Sequence, residues 1–136
     1  MEKLELSQLK YPDMREELIN YLHRLGDKEY QYQAWVEDNR PGGGHDELDY
    51  AIHFLYDDTD LANEPASLIG WILTGKDESD VIASVVKALD IIFDKYGTEL
   101  SDQEYLAKNE WENVLVMARN AERVLLSSHG IQKLSS

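Results

Sequence analysis

The chain has 136 residues, no cysteine and a formal net charge of -14, from 27 acidic and 13 basic side chains. This length suits one domain with its own core, while the missing cysteine removes disulfides, thiol nucleophiles and thiolate zinc sites. Acidity disfavours nucleic acid, whose phosphates need clustered Lys and Arg; with no signal-like apolar core and no run near the roughly 18 apolar residues of a membrane span, a cytoplasmic protein without nucleic-acid or membrane partners is expected.

In YPDMREELINYLHRLG, Pro12 and Asp13 mark a helix start, where a missing N–H is harmless and a carboxylate meets the positive dipole end. Leu18, Ile19, Leu22 and Leu25 recur at helical spacing, and Gly26 supplies the stop, so a first helix is expected over 12–25. A short second helix follows over 27–36, turning Tyr30, Ala34 and Trp35 inward. NRPGGGH, residues 39–45, is a breaker segment that reads as a mobile loop. It lacks the Lys and Ser or Thr that a phosphate-cradling loop needs after its glycines.

Residues 37–64 hold nine acids against one base, so about a fifth of the chain carries more than half of the net charge. Within this region Leu48, Ala51, Ile52 and Leu55 define one face of a helix. Asp49, His53 and Asp57 define another, with the histidine between two carboxylates at four-residue spacing. Such flanking should raise the His53 pKa.

Asn63, Glu64 and Pro65 begin a new segment, EPASLIGWILTG, that fits either a short helix or a buried extended stretch. Val81, Ile82, Val85, Val86, Leu89, Ile92, Phe93 and Tyr96 then give the broadest apolar stripe, a central helix from Asp77 to Gly97. SDQE at 101–104 matches a capping box opening another short helix. A last helix over about 109–127 should bury Trp111, Val114, Leu115, Ala118 and Leu125, with Gly130 ending it and 130–136 fraying. The expected fold is all-α: one compact domain over 1–136, core about 10–127, made of six or seven short, orthogonally packed helices.

Several chemistries compete for the acidic segment. His45, Asp49, His53 and Asp57 have ligand types and spacing that could hold a metal from one helix, but without a second supporting histidine cluster a solvated acidic face is the favoured explanation. DDTDLANE lacks the EF-hand pattern, since Ala62, Asn63 and Ile69 fall where an acid or amide, Gly and Glu belong. Carboxylate-pair hydrolysis needs two acids in contrasting environments, which nothing here marks. No G-x-S-x-G motif supports serine catalysis. An enzyme would need a pocket gathering His53 with distant groups such as His23 or Tyr105.

The favoured reading assigns no metal, cofactor or catalytic residue. It makes Asp46, Asp49, Tyr50, His53, Tyr56, Asp57, Asp58 and Asp60 a surface for a basic protein partner, with acids steering association and aromatics, Trp35 among the candidates, anchoring it. The runner-up is a helical housekeeping or regulatory domain, homodimeric in one version, whose acidic segment caps helices and keeps the surface soluble; buried DDTD carboxylates hydrogen-bonded to backbone amides would favour it.

YPDMREEL, YQAWV, LDYAIHFLYDDTDLANEP, IGWIL and KYGTELSDQEYLAKNEW together resemble a family of short, acidic, mainly helical bacterial proteins of largely unassigned function, across about residues 10–125. That resemblance implies a bacterial cytosolic domain and carries no catalytic residues. In type rather than motif, the chain is also similar to immunity proteins of contact-dependent inhibition and other polymorphic toxin systems. This similarity implies a non-enzymatic inhibitor covering a secreted toxin domain.

Overall fold

The computed structural model describes residues 3–134, and side chains as far as residue 128. Its described residues form an all-α domain around one hydrophobic cluster. Helix α1, Pro12–Leu25, starts at the expected proline and buries Leu18, Leu22 and Leu25. Gly26 follows because space runs out: a Cβ there would lie 2.8 Å from Arg119 Cγ, and Arg119 Nε donates to the Gly26 carbonyl at 2.7 Å.

Helix α2, Lys28–Gln31, is capped by the Asp27 carboxylate, which accepts from Tyr30 N–H at 3.1 Å. It widens into a π-helical turn over Tyr32–Val36, closed by Glu37 N–H donating to the Tyr32 carbonyl at 2.9 Å. The widening places both Ala34 and Trp35 in the core, as their spacing implied. Gly42, Gly43 and Gly44 then take φ of 85°, 89° and 82°. A Cβ at Gly42 or Gly43 would meet nothing within 4 Å, so this turn demands glycine for its backbone angles rather than for space.

Helix α3, Leu48–His53, also passes into a π turn, Phe54–Asp58. Leu48, Ala51 and Leu55 are buried as their period indicates. Each π turn adds a residue relative to an α turn, and here Phe54 joins Leu55 in the core at 2% exposure, a position the 3.6-residue period leaves outside.

The ambiguous segment opens as a short helix and continues as a tight turn. After a single 3₁₀ turn, Pro65–Leu68, the Leu68 carbonyl accepts from the N–H groups of Trp71, Ile72 and Leu73 at 2.9 to 3.0 Å. The N-terminal stretch lies along it: Lys10 and Tyr11 N–H donate to the carbonyls of Gly70 and Trp71, and Leu4 N–H to Thr74. Ile72, Leu73 and Thr74 are buried between these contacts.

Helix α4, Lys76–Tyr96, ends at Gly97, whose φ of 79° is the left-handed termination glycine allows. Ser101 caps α5, Asp102–Leu106, through the expected box: Glu104 N–H donates to Ser101 Oγ, and Ser101 N–H to Glu104 Oε1. Helix α6, Trp111–Leu134, buries each of the five expected residues and Ala121 as well. It corrects the expected boundary, because the backbone continues through Gly130 to Leu134; residues 135–136 of the expected frayed tail lie outside the described residues.

Helix α6 packs along both α1 and α4, so it shares with α4 the central role expected of residues 77–97 alone. Fully buried leucines such as Leu18, Leu22 and Leu89 each contribute about 1.5–3 kcal/mol of hydrophobic stabilisation. One buried ion pair joins the layers. Arg15 on α1 donates to both Glu78 oxygens at 2.8 Å, to the Ile72 carbonyl at 2.9 Å and to the Leu125 carbonyl at 3.2 Å. Thr74 N–H adds a bond to Glu78 Oε1 at 2.7 Å.

Candidate functional site

The acidic segment divides into inward and outward carboxylates. Asp46 is 2% exposed and corrects its assignment to a partner surface. Its Oδ2 accepts from Tyr30 Oη at 2.7 Å and from Trp35 Nε1 at 2.9 Å, with Arg24 3.9 Å away. The same contacts remove Trp35 from the candidate anchors: its indole is 8% exposed and packs edge-on to Trp111 at 6.3 Å. A buried carboxylate must find donors, and α2 with its π turn supplies them across the glycine loop.

DDTD is ordered by its threonine. Thr59 Oγ1 donates to the Phe54 carbonyl at 2.8 Å and accepts from Leu61 N–H at 3.2 Å, tying the end of the π turn to the following loop. Asp57, Asp58 and Asp60 are exposed. Burial of these three carboxylates, which would have favoured the runner-up reading, is therefore not what the structure has.

His53 lies where the spacing put it, between Asp49 at 3.2 Å on Nε2 and Asp57 at 2.6 Å on Nδ1. With a carboxylate on each ring nitrogen the doubly protonated ring is favoured, and the pKa is raised, by Asp49 first and then by the bond to Asp57. His45 repeats the arrangement: Glu47 at 2.8 Å and Asp38 at 2.9 Å face opposite ring nitrogens and raise its pKa. Tyr50 stands edge-on to His45 at 5.9 Å and is 43% exposed.

These pairings separate the four metal-ligand candidates into two groups, each with carboxylates on opposite edges of a ring. Among the described residues no three His, Cys, Asp or Glu side chains form a group that could hold a metal ion. Nor do the enzyme candidates meet: His23 binds Glu122 at 2.8 Å, while Tyr105 Oη donates to the Gly97 carbonyl at 2.6 Å.

Beside the outward acids lies a cleft of about 470 Å³ between α3, α4, the 97–100 loop and α5. Leu48, Ile52, Phe93 and Leu100 give it an apolar lining, and Asp49, Asp57, Asp90 and Asp102 add carboxylates. Tyr56 Oη donates to Asp90 Oδ1 at 2.6 Å; burial first, then this bond, pushes the phenol well above the ordinary tyrosine range. Tyr56 is thus half-buried in a wall, while Tyr50 is the more open aromatic group. Asp102 Oδ2 accepts from Leu48 N–H at 3.1 Å and so caps α3 from 54 residues away. Burial raises its pKa, Leu48 N–H opposes this, and Glu47, Asp49 and Asp46 add to the rise.

Asp90, Phe93, Leu100 and Asp102 were not among the candidates read from the sequence. Asp90 sits on the exposed side of a long helix and Asp102 in a capping box, where local roles suffice to explain an acid. A shared cleft with α3 leaves no mark in local spacing.

Fold and site together define an all-α domain with a carboxylate-rimmed apolar cleft; no helix among the described residues is long and apolar enough to cross a membrane. The chain belongs to the family described as a domain of unknown function, DUF7945, whose model matches residues 9–132. No curated protein and no solved structure matches it.

Proposed function

We propose that this domain is a non-enzymatic bacterial protein-binding module of the immunity or antitoxin type, covering the basic surface of a partner such as a secreted toxin domain. The observation that carries the reading is the division of DDTD: Thr59 holds the backbone of the turn while Asp58 and Asp60 face solvent, with Asp57 exposed and, like Asp49, paired to the surface His53. Burial would have neutralised or paired these acids. Held outward on an ordered turn, they project a field that draws a cationic surface and accelerates encounter, within a Debye length of about 8 Å at physiological salt. Tyr50, which follows Asp49 in the chain and stands edge-on to His45, supplies an exposed aromatic group.

Capture with the tagged full chain from its host's lysate at low salt, followed by stepwise salt elution and mass spectrometry, tests this. A stoichiometric basic protein that elutes with salt and is lost from the Asp57→Asn/Asp58→Asn/Asp60→Asn variant is the expected result. Recovery of the bait alone, or equal capture by the variant, rejects the acidic turn as a contact surface.

A further inference from the structure

We infer that the cleft between α3, α4 and α5 seats a cationic amphipathic segment of a basic protein partner, apolar side chains on its floor and Lys or Arg on its rim. The inference rests on the function proposed above and adds the chemistry of the segment recognised.

The lining has a composition that selects this occupant. Ile52, Phe93 and Leu100 offer apolar surface from three different elements, and the described lining residues include four carboxylates and no Lys, Arg or His. A purely apolar occupant would desolvate Asp49, Asp57, Asp90 and Asp102 without giving them counter-charges, which is costly. An anionic occupant would meet repulsion from every side. A fully hydrophilic polycation would leave the floor wet and forgo its hydrophobic contribution.

A second copy of a chain with net charge -14 would bring like charge to this rim. The volume of about 470 Å³ falls within the 300–1,000 Å³ typical of ligand pockets, room for several side chains of one segment rather than for a single ion. His53 is already held by two of these carboxylates, Asp49 and Asp57. Asp90 and Asp102 lie on the opposite wall, on α4 and α5, so an occupant's cations have acceptors on both sides.

The test is NMR mapping of the full chain with three probes: a synthetic helical peptide of Lys, Leu and Trp, a lysine-only peptide of equal charge, and spermidine. The amphipathic peptide should shift the Leu48, Ile52 and Leu100 signals and bind at least about tenfold more tightly than the lysine peptide, about 1.4 kcal/mol. Ile52→Lys should abolish that advantage. Thr98→Lys, a change at an exposed loop position lining the cleft, should do the same with little risk to folding. Asp77→Asn/Asp80→Asn, some ten or more residues from Asp90 along α4, should leave it intact.

Equal affinity for the lysine peptide or spermidine would overturn the inference while leaving the acidic contact surface standing. Signals at Ile52 and Leu100 that move with protein concentration alone would assign the cleft to a second copy and also overturn it. Silence at these positions with all three probes would remove the cleft from binding, with the capture experiment still deciding whether the acidic turn has a partner.

Discussion

Two regions of the molecule handle negative charge in opposite ways. In one, Glu78 is fully buried and pairs with Arg15 of α1, whose guanidinium also donates to carbonyls of the 69–74 turn and of α6. In the other, Asp57, Asp58 and Asp60 stand at the surface while a neutral threonine holds their backbone. The first region uses a carboxylate to join elements distant in sequence, and the second leaves its carboxylates at the surface, Asp57 beside the exposed His53. A residue's charge therefore says little about its role until its donors are known.

Removing either partner of the buried pair should have the largest effect. Arg15→Ala or Glu78→Ala is expected to destabilise the fold by about 3–5 kcal/mol, because an uncompensated charge remains inside, as read by urea unfolding. An Arg15→Met/Glu78→Leu double variant that regains much of the loss would show that the pair specifies the arrangement more than it stabilises it. Burial would raise the Glu78 carboxyl, yet Arg15 and the Thr74 amide outweigh it and lower the pKa below 4.5. Its contribution is thus complete above pH 4.5 and fades as pH falls through the folded-state value. Wild-type stability should drop in that acid window more steeply than that of the double variant.

Next in size is Asp46, an acid of the charged segment that behaves like Glu78. Asp46→Ala leaves Tyr30 Oη and Trp35 Nε1 without their acceptor and should cost about 1.5–3 kcal/mol, with a change in tryptophan fluorescence. By contrast Asp57→Asn/Asp58→Asn/Asp60→Asn should stay within about 0.5 kcal/mol of wild type per site. In the same protein, association with a captured basic partner should slow and lose salt dependence. A large loss of stability in the triple variant would erase the contrast between the two regions.

The smallest expected effect is on His53. Its folded pKa is raised above 6.5, so its favourable interaction is fully present below pH 6.5 and disappears as pH rises through the folded value. A ¹³C or ¹⁵N NMR titration should place the midpoint above 6.5, and Asp49→Asn/Asp57→Asn should bring it back. A wild-type midpoint at or below 6.5 would remove the paired geometry in solution.

Local patterns carried far into this structure. Pro12 and Gly26 bound α1, Gly97 ends α4, and Ser101 with Glu104 forms the capping box, since each such signal acts within a turn of backbone. The His53 stripe was equally legible, because residues four apart on a helix are neighbours whatever the rest of the chain does. Where two π turns interrupt the 3.6-residue period, the pattern missed Phe54. Through Gly130 it ended α6 too soon, because a glycine lowers helix propensity without forbidding a helix.

What the sequence by itself determined is the helical class, most element boundaries and the concentration of charge in residues 37–64, all properties of neighbours along the chain. Tertiary structure alone decided which charges are internal and where a cleft opens. Arg15 meets Glu78 across 63 residues, Trp111 donates to Gln31 across 80, Leu48 is capped by Asp102 across 54, and Tyr56 reaches Asp90 across 34. Desolvation and hydrogen-bond satisfaction depend on what surrounds a group in space, so an aspartate in solvent and an aspartate beneath two aromatic donors look alike until the helices are packed.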